Sequence, residues 1–199
     1  MLFRSLSKQL INISQERLKS LGINIVTNTK LVKVEDGCCH FSNGTKANHS
    51  FVIFTGGVEA STITAELEDI SKNGRGQIIV NEYLQTDKYE NIFAIGDIAE
   101  IKNRRGEIMP PNVTVARISG TDAGKNVLNM IDGKSLIKSN PKLDGILIAL
   151  GGKYAAGDLF GLVTVKGRIA YEIKKYVFSS YRKPLLKLIK MGYNKLKRL

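Results

Sequence analysis

Two glycine turns seven positions apart, Asp36-Gly37 and Asn43-Gly44, restrict this chain more than any other feature of it. A glycine after Asp or Asn supplies the positive φ that a two-residue hairpin turn needs. The runs around them, "KLVKVE", "CCHFS" and "TKANHS", are short and rich in β-formers. The spacing therefore predicts an antiparallel meander. Cys38 and Cys39, the only cysteines, fall on its middle strand, where neighbouring side chains point to opposite faces. They offer neither a disulfide framework nor a metal spacing. His40 and His49 have no ligand cluster around them, so no metal is expected.

The flanking segments read as a mixed α/β chain. Phe3, Leu6, Leu10, Ile13, Leu18 and Leu21 recur at helical spacing, with Gly22 placed to end that helix. "INIV" (23–26) reads as a strand, and "FVIFTGG" (51–57) as a buried strand stopping at Gly56-Gly57. Residues 60–75 form a polar connector before a short strand in "GQIIVNEYLQT". "NIFAIGD" predicts a strand that ends by placing Asp97 directly after Gly96. Two prolines and the cap Asn112 then open a helix over 113–131, with Val113, Ala116, Gly120, Val127 and Ile131 along one face. "GILIALGG" and "GLVTVKG" alternate like two paired strands, and no internal repeat is evident.

Net charge is +12, and residues 166–199 alone hold eleven Lys/Arg against one acid, Glu172. The basic character thus belongs to the tail. Pro184 reads as a helix start there, with Leu185, Leu188, Ile189, Leu196 and Leu199 on one side. Lys187, Lys190, Asn194, Lys197 and Arg198 take the other. This is the composition of an amphipathic helix lying in a membrane interface. The rival is a basic module for nucleic acid, which the tail's Tyr171, Tyr176, Tyr181 and Tyr193 permit but do not suggest.

Taken alone, Gly96-Asp97 reads as an Asp-capped turn after a strand, and the same pair also suits a ligand. Without a Cβ, backbone comes close to a ligand, and a carboxylate past a strand end accepts hydrogen bonds from sugar or sugar-alcohol hydroxyls. The N-terminus of the next helix favours negative charge.

The order Thr86, "NIFAIGD", "PP" and helix resembles the C-terminal flavin motif of two-dinucleotide flavoproteins. Within that superfamily the chain resembles type II NADH dehydrogenases, the single-subunit NADH:quinone oxidoreductases. The stretches "LKSLGINIVTNTKLVKVEDG", "SFVIFTGGVEAS", "NIFAIGDIAE" and "GILIALGGKYAAGDLFGLVTVKGRIAYEIKKY" carry the resemblance in order. It implies FAD and NADH as cofactors, a membrane quinone as acceptor, and a peripheral place on the cytoplasmic face of the inner membrane. It also implies a possible homodimer and no nucleic-acid partner. Residues 1–57 correspond to the latter part of the NADH-binding domain and 58–135 to the closing part of the FAD-binding domain. Residues 136–199 correspond to a hairpin with membrane-docking helices. Neither Gly-x-Gly-x-x-Gly unit of the family occurs in the chain. The resemblance therefore implies the C-terminal portion of a longer enzyme, which needs the missing N-terminal part as partner and binds neither cofactor tightly alone.

By the same resemblance, Asp97 accepts from the flavin ribitol, Gly96 permits the approach, and Val113 and Thr114 present first-turn amides to the ring. Gly56 and Gly57 clear space for nicotinamide or flavin. Lys174, with Lys175, stands in the family's Gly-x-x-Ala-x-x-x-Lys pattern near flavin and quinone; its rival role is a lipid-facing cation. The family's Ala-Gln-x-x-x-Gln is replaced by "VTVARI", leaving Thr114 and Ile118 where glutamines are expected. Thr114 still offers a hydroxyl to a quinone carbonyl. That departure keeps a sulfide:quinone reductase or another flavin reductase open as an alternative, alongside the non-enzymatic basic module.

Overall fold

The computed structural model describes residues 6–196, with side chains described through Lys187 and at Ile189. It divides into two compact units, one of Met1–Ile53 with Asp144–Leu199, the other Phe54–Leu143. The stretches 1–57 and 136–199 thus fall largely in one unit, and 58–135 in the other.

In the first unit the meander forms as its turns require. Strands β1 (Leu31–Glu35), β2 (Cys38–Phe41) and β3 (Lys46–Asn48) pair antiparallel in the order β1-β2-β3. Gly37 and Gly44 take φ of 73° and 82° at the two turns. Cys39 is buried, Cys38 is half-buried, and both are free thiols. Helix α1 (Lys8–Ser20) is capped by Ser7, whose hydroxyl accepts from the Leu10 amide, and Gly22 follows at φ 74°. Its Leu10 is fully buried against Leu150 and Ala156 of the C-terminal sheet.

That sheet has three strands rather than two. Strand β6 (Gly145–Ala149) and strand β8 (Val163–Gly167) do not pair with each other; each pairs with β7 (Ala155–Leu159) between them. "AAGDL" hides its strand because Ala, Gly and Asp are poor β-formers. Gly157 is required here, since a Cβ would overlap the Ile146 carbonyl oxygen across the ladder. Helix α3 (Arg168–Leu196) follows directly and runs through Pro184, which is an interior residue and not a helix start. Leu185 and Ile189 are exposed, as expected for an outward apolar face. The other residues assigned to the two sides of the tail, Lys187 apart, lie outside the described side chains.

Two expected strands are absent. Residues 23–26 and 51–57 are irregular, and Phe51, Ile53 and Phe54 are 80%, 75% and 78% exposed. Apolar content does not make a strand without a neighbouring backbone to bond, and no described strand lies alongside either segment.

The second unit is built on a repeat that its residue content conceals. Asn73, Asn81 and Asn103 each open a five-residue loop closing on Gln77, Gln85 and Glu107. In each, the Asn Oδ1 accepts two backbone N–H groups, at 2.8 to 3.1 Å. Its Nδ2 donates to the closing side chain at 3.0, 3.1 and 2.6 Å. The residues just outside each loop, Lys72 and Ile78, Val80 and Thr86, Lys102 and Ile108, form antiparallel bridges. The fourth loop position is left-handed every time, as Gly76 (φ 74°), Leu84 (71°) and Gly106 (78°).

Leu84 tolerates that conformation because its side chain, 1% exposed, anchors the core with Ile78, Ala99, Ile101 and Val115. Leu84→Gly relieves roughly 1 kcal/mol of backbone strain but forfeits about 3–5 kcal/mol of burial and packing. The net expectation is a protein about 2–4 kcal/mol less stable by denaturant unfolding. Equal stability would show that relief of the strain offsets the lost burial in full.

Strand β4 (Ile78–Ile79) runs parallel to β5 (Ala99–Glu100), and helix α2 (Val113–Ile131) covers them. Asn112 caps α2, its Oδ1 accepting from the Val115 amide at 3.0 Å. The buried face is Val115, Ser119, Ala123 and Asn126, not the predicted stripe; Val113, Val127 and Ile131 are exposed. The polar members earn burial by bonding. Asn126 Oδ1 accepts the Ile137 amide at 2.8 Å, and its Nδ2 donates to the Tyr83 and Ile137 carbonyls at 3.0 Å.

Candidate functional site

The segment "NIFAI" enters the site as extended chain, bridged to Gln85 only at Phe93, and not as a full strand. Gly96–Ile98 then makes one 3-10 turn, with Gly96 at φ 68°, and β5 leaves it. A side chain at Gly96 would be strained there whatever the space. Small residues of α2 seat the turn: a Cβ built on Gly96 would lie 3.6 Å from Ala116, and one on Gly120 3.6 Å from Ile95.

Hydrogen bonds fix the turn at both ends. The Gly96 amide donates to Ser119 Oγ at 3.1 Å. The Asp97 carbonyl accepts from Gln77 Nε2 at 3.0 Å. Between these anchors the Asp97 side chain is exposed, and no described residue bonds its carboxylate. The preceding spacer is also pinned. Thr86 Oγ1 donates to the Tyr89 carbonyl at 3.0 Å, and the Ser71 hydroxyl donates to the Asp87 carboxylate, holding its pKa below the usual range.

The second unit thus holds six of the predicted site residues. Gly96 and Asp97 form the turn packed on α2, and Val113 and Thr114 are the first residues of α2. Val113 is exposed and its amide has no carbonyl one turn back to bond. Gly56 and Gly57 lie in exposed irregular chain, Gly57 at φ 139°. Lys174 belongs to the first unit, where its ammonium donates to the Leu147 carbonyl at 2.9 Å. Sequence reasoning missed Ser119 and Gln77. Their only signal is a polar residue on the inner face of α2 and a glutamine closing the first Asn loop. Among the described residues no group of His, Cys, Asp and Glu is placed to hold a metal.

The family model described as pyridine nucleotide-disulphide oxidoreductase matches residues 1–120. The chain belongs to that family. It is 29% identical over 184 residues to a type II NADH:quinone oxidoreductase of Haemophilus influenzae, covering 89% of this chain and 41% of that protein. A protein of the same name from Staphylococcus aureus is 27% identical over 175 residues, covering 86% and 43%. The resemblance to type II NADH:quinone oxidoreductases rests on these relatives as well as on motif order. The chain spans about two fifths of their length. Among solved structures, NDH2 from Plasmodium falciparum matches at TM-score 0.74 and 16% identity, over 89% of this chain and 52% of that one. The sulfide:quinone oxidoreductase of Aquifex aeolicus matches at 0.64 and 17%, over 85% and 43%. At such identities these structures support the α/β fold alone.

Members of this family imply FAD and NADH, and the residues present fit one end of the flavin. A left-handed glycine, an unbonded exposed carboxylate and a helix N-terminus suit a polyhydroxyl chain and an electron-rich ring edge. For the pyrophosphate the chain has no Gly-x-Gly-x-x-Gly helix start.

Proposed function

We propose that this chain is the flavin-closing and membrane-facing part of an NADH:quinone oxidoreductase. The observation that carries the reading is the Gly96–Ile98 turn, seated on α2 with the Asp97 carboxylate exposed. On this reading residues 1–57 complete an NADH-binding domain and 58–135 an FAD-binding domain. Residues 136–199 dock on lipid at the cytoplasmic face of the inner membrane. FAD supplies the electron-transfer chemistry between NADH and quinone. Asp97 accepts a hydrogen bond from the ribitol, Gly96 lets the backbone approach, and the Val113 and Thr114 amides face the pyrimidine edge. Gly56 and Gly57 leave room for the nicotinamide. Thr114 offers its hydroxyl to a quinone carbonyl where the family has glutamine, and Ile118 offers none. Lys174 takes the role that the family's Gly-x-x-Ala-x-x-x-Lys pattern gives its lysine, and its ammonium donates to the Leu147 carbonyl.

Among the described residues no helix is long and apolar enough to span a membrane. A sulfide:quinone reductase is the weaker reading. Its chemistry needs redox cysteines at the flavin, and Cys38 and Cys39 are neighbours on the meander strand β2, where their side chains point to opposite faces.

The purified 199-residue chain is expected to carry far less than one FAD, because the pyrophosphate has no glycine-rich helix start to rest on. A flavin absorbance band near one equivalent would overturn this. Fusing it behind the portion of the Haemophilus relative that precedes the matched stretch is expected to restore flavin. In that fusion Asp97→Ala should lower flavin content while circular dichroism stays unchanged. Full flavin in the variant would remove Asp97 from the site.

A further inference from the structure

We propose that Ser119 and Gln77 are positioning residues that hold the Gly96-Asp97 turn in its ligand-ready shape from two sides. The inference rests on the reading of Asp97 as the flavin's polyhydroxyl contact and adds what sets that carboxylate in place.

Ser119 is fully buried in the middle of α2. Its hydroxyl donates to the Ala116 carbonyl at 3.1 Å, the ordinary habit of a helical serine. That bond leaves the oxygen's lone pairs available, and Gly96 N–H donates to it from outside the helix. Gln77 is 8% exposed and works from the other side. Its Oε1 accepts from Asn73 Nδ2 at 3.0 Å, which orients the amide so that Nε2 meets the Asp97 carbonyl. Asn73 Nδ2 also donates to Glu100 Oε2 at 2.9 Å, beyond the turn.

The two anchors therefore flank the Gly96-Asp97 pair. The peptide entering Gly96 is tied to the helix, and the peptide leaving Asp97 is tied to the first Asn loop. The Asp97 carboxylate has no protein partner among the described residues. A ligand hydroxyl thus meets a carboxylate whose backbone is already ordered, and binding does not have to supply that order. Alanine at 119 strands the Gly96 amide without an acceptor and releases the turn.

Amide exchange measured by NMR on the full chain tests the anchors without flavin. In Ser119→Ala, Gly96 N–H protection is expected to fall about tenfold or more, with α2 amides such as Ala123 unchanged and Ser119→Thr restoring protection. In the fusion described above, the FAD dissociation constant of Ser119→Ala should rise about tenfold. Unchanged Gly96 protection overturns the inference whatever the flavin does. Lost protection with unchanged FAD affinity also overturns it, provided Asp97→Ala still lowers flavin content. If neither variant affects flavin, the reading of Asp97 fails and this inference falls with it. Loss of protection along all of α2 would mark Ser119 as a packing residue only and refute the positioning role. Should Ser119→Ala not fold, Gln77→Met removes the second anchor and is read by the same two measurements.

Discussion

Asn126→Leu is expected to cost the Phe54–Leu143 unit about 3–5 kcal/mol, a large share of the roughly 5–15 kcal/mol that holds a typical domain together. Leucine has the same branched outline and is the larger side chain, so no cavity explains the loss. What disappears is one side chain's service to three backbone groups: the Ile137 amide, the Ile137 carbonyl and the Tyr83 carbonyl. Asn126 is fully buried, so water cannot replace it cheaply. The internal control is Asn129, on the same helix, which donates to the Ser135 carbonyl at 3.1 Å near the surface. Asn129→Ala should cost no more than about 1 kcal/mol. Urea unfolding of both variants decides the matter, and equal midpoints for the two would refute the buried-bond account.

The second large effect concerns lipid. Helix α3 exposes Leu185, Leu186 and Ile189 at 60%, 43% and 66%, on a segment that holds most of the chain's net positive charge. If it lies in a membrane interface, replacing these three by serine should weaken binding to anionic vesicles by at least about tenfold, with net charge unchanged. Deleting residues 184–199 should release most of the protein. Raising salt should release part of it, because screening weakens the charge contribution and leaves the apolar one. A nucleic-acid tail would respond the other way, with salt abolishing binding and the leucines hardly counting. Vesicle co-sedimentation beside a DNA gel shift separates these outcomes. A serine variant that binds vesicles like the parent would end the docking reading.

What the sequence disclosed followed from local rules. Gly37, Gly44 and Asn112 announce their turns and cap because each satisfies a need of its own backbone. Gly96-Asp97 was visible for the same reason. Features that depend on a distant partner were not. "INIV" and "FVIFTGG" have strand composition and no strand beside them, while "AAGDL" has poor composition and two. The buried face of α2 is offset from its apolar stripe because burial goes to residues with partners elsewhere, Ser119 at Gly96 and Asn126 at Ile137. The Asn loops escaped notice because only the first residue and an amide or acid four positions on are shared.

The first unit's division along the chain has a consequence for synthesis. Ser7 Oγ donates to Asp158 at 2.6 Å, across 151 positions, and Leu10 is buried only once Leu150 and Ala156 exist. The Phe54–Leu143 unit is contiguous, so the core around Ile70, Leu84, Ile101 and Val115 can pack as soon as Leu143 leaves the ribosome. Growing from its N-terminus, the polypeptide therefore completes its middle first, while α1 waits with an apolar face uncovered. Closing so long a loop costs little more than closing a shorter one, so the penalty is delay rather than stability. During that interval α1 is the segment most open to chaperone capture or to association with a neighbouring nascent chain.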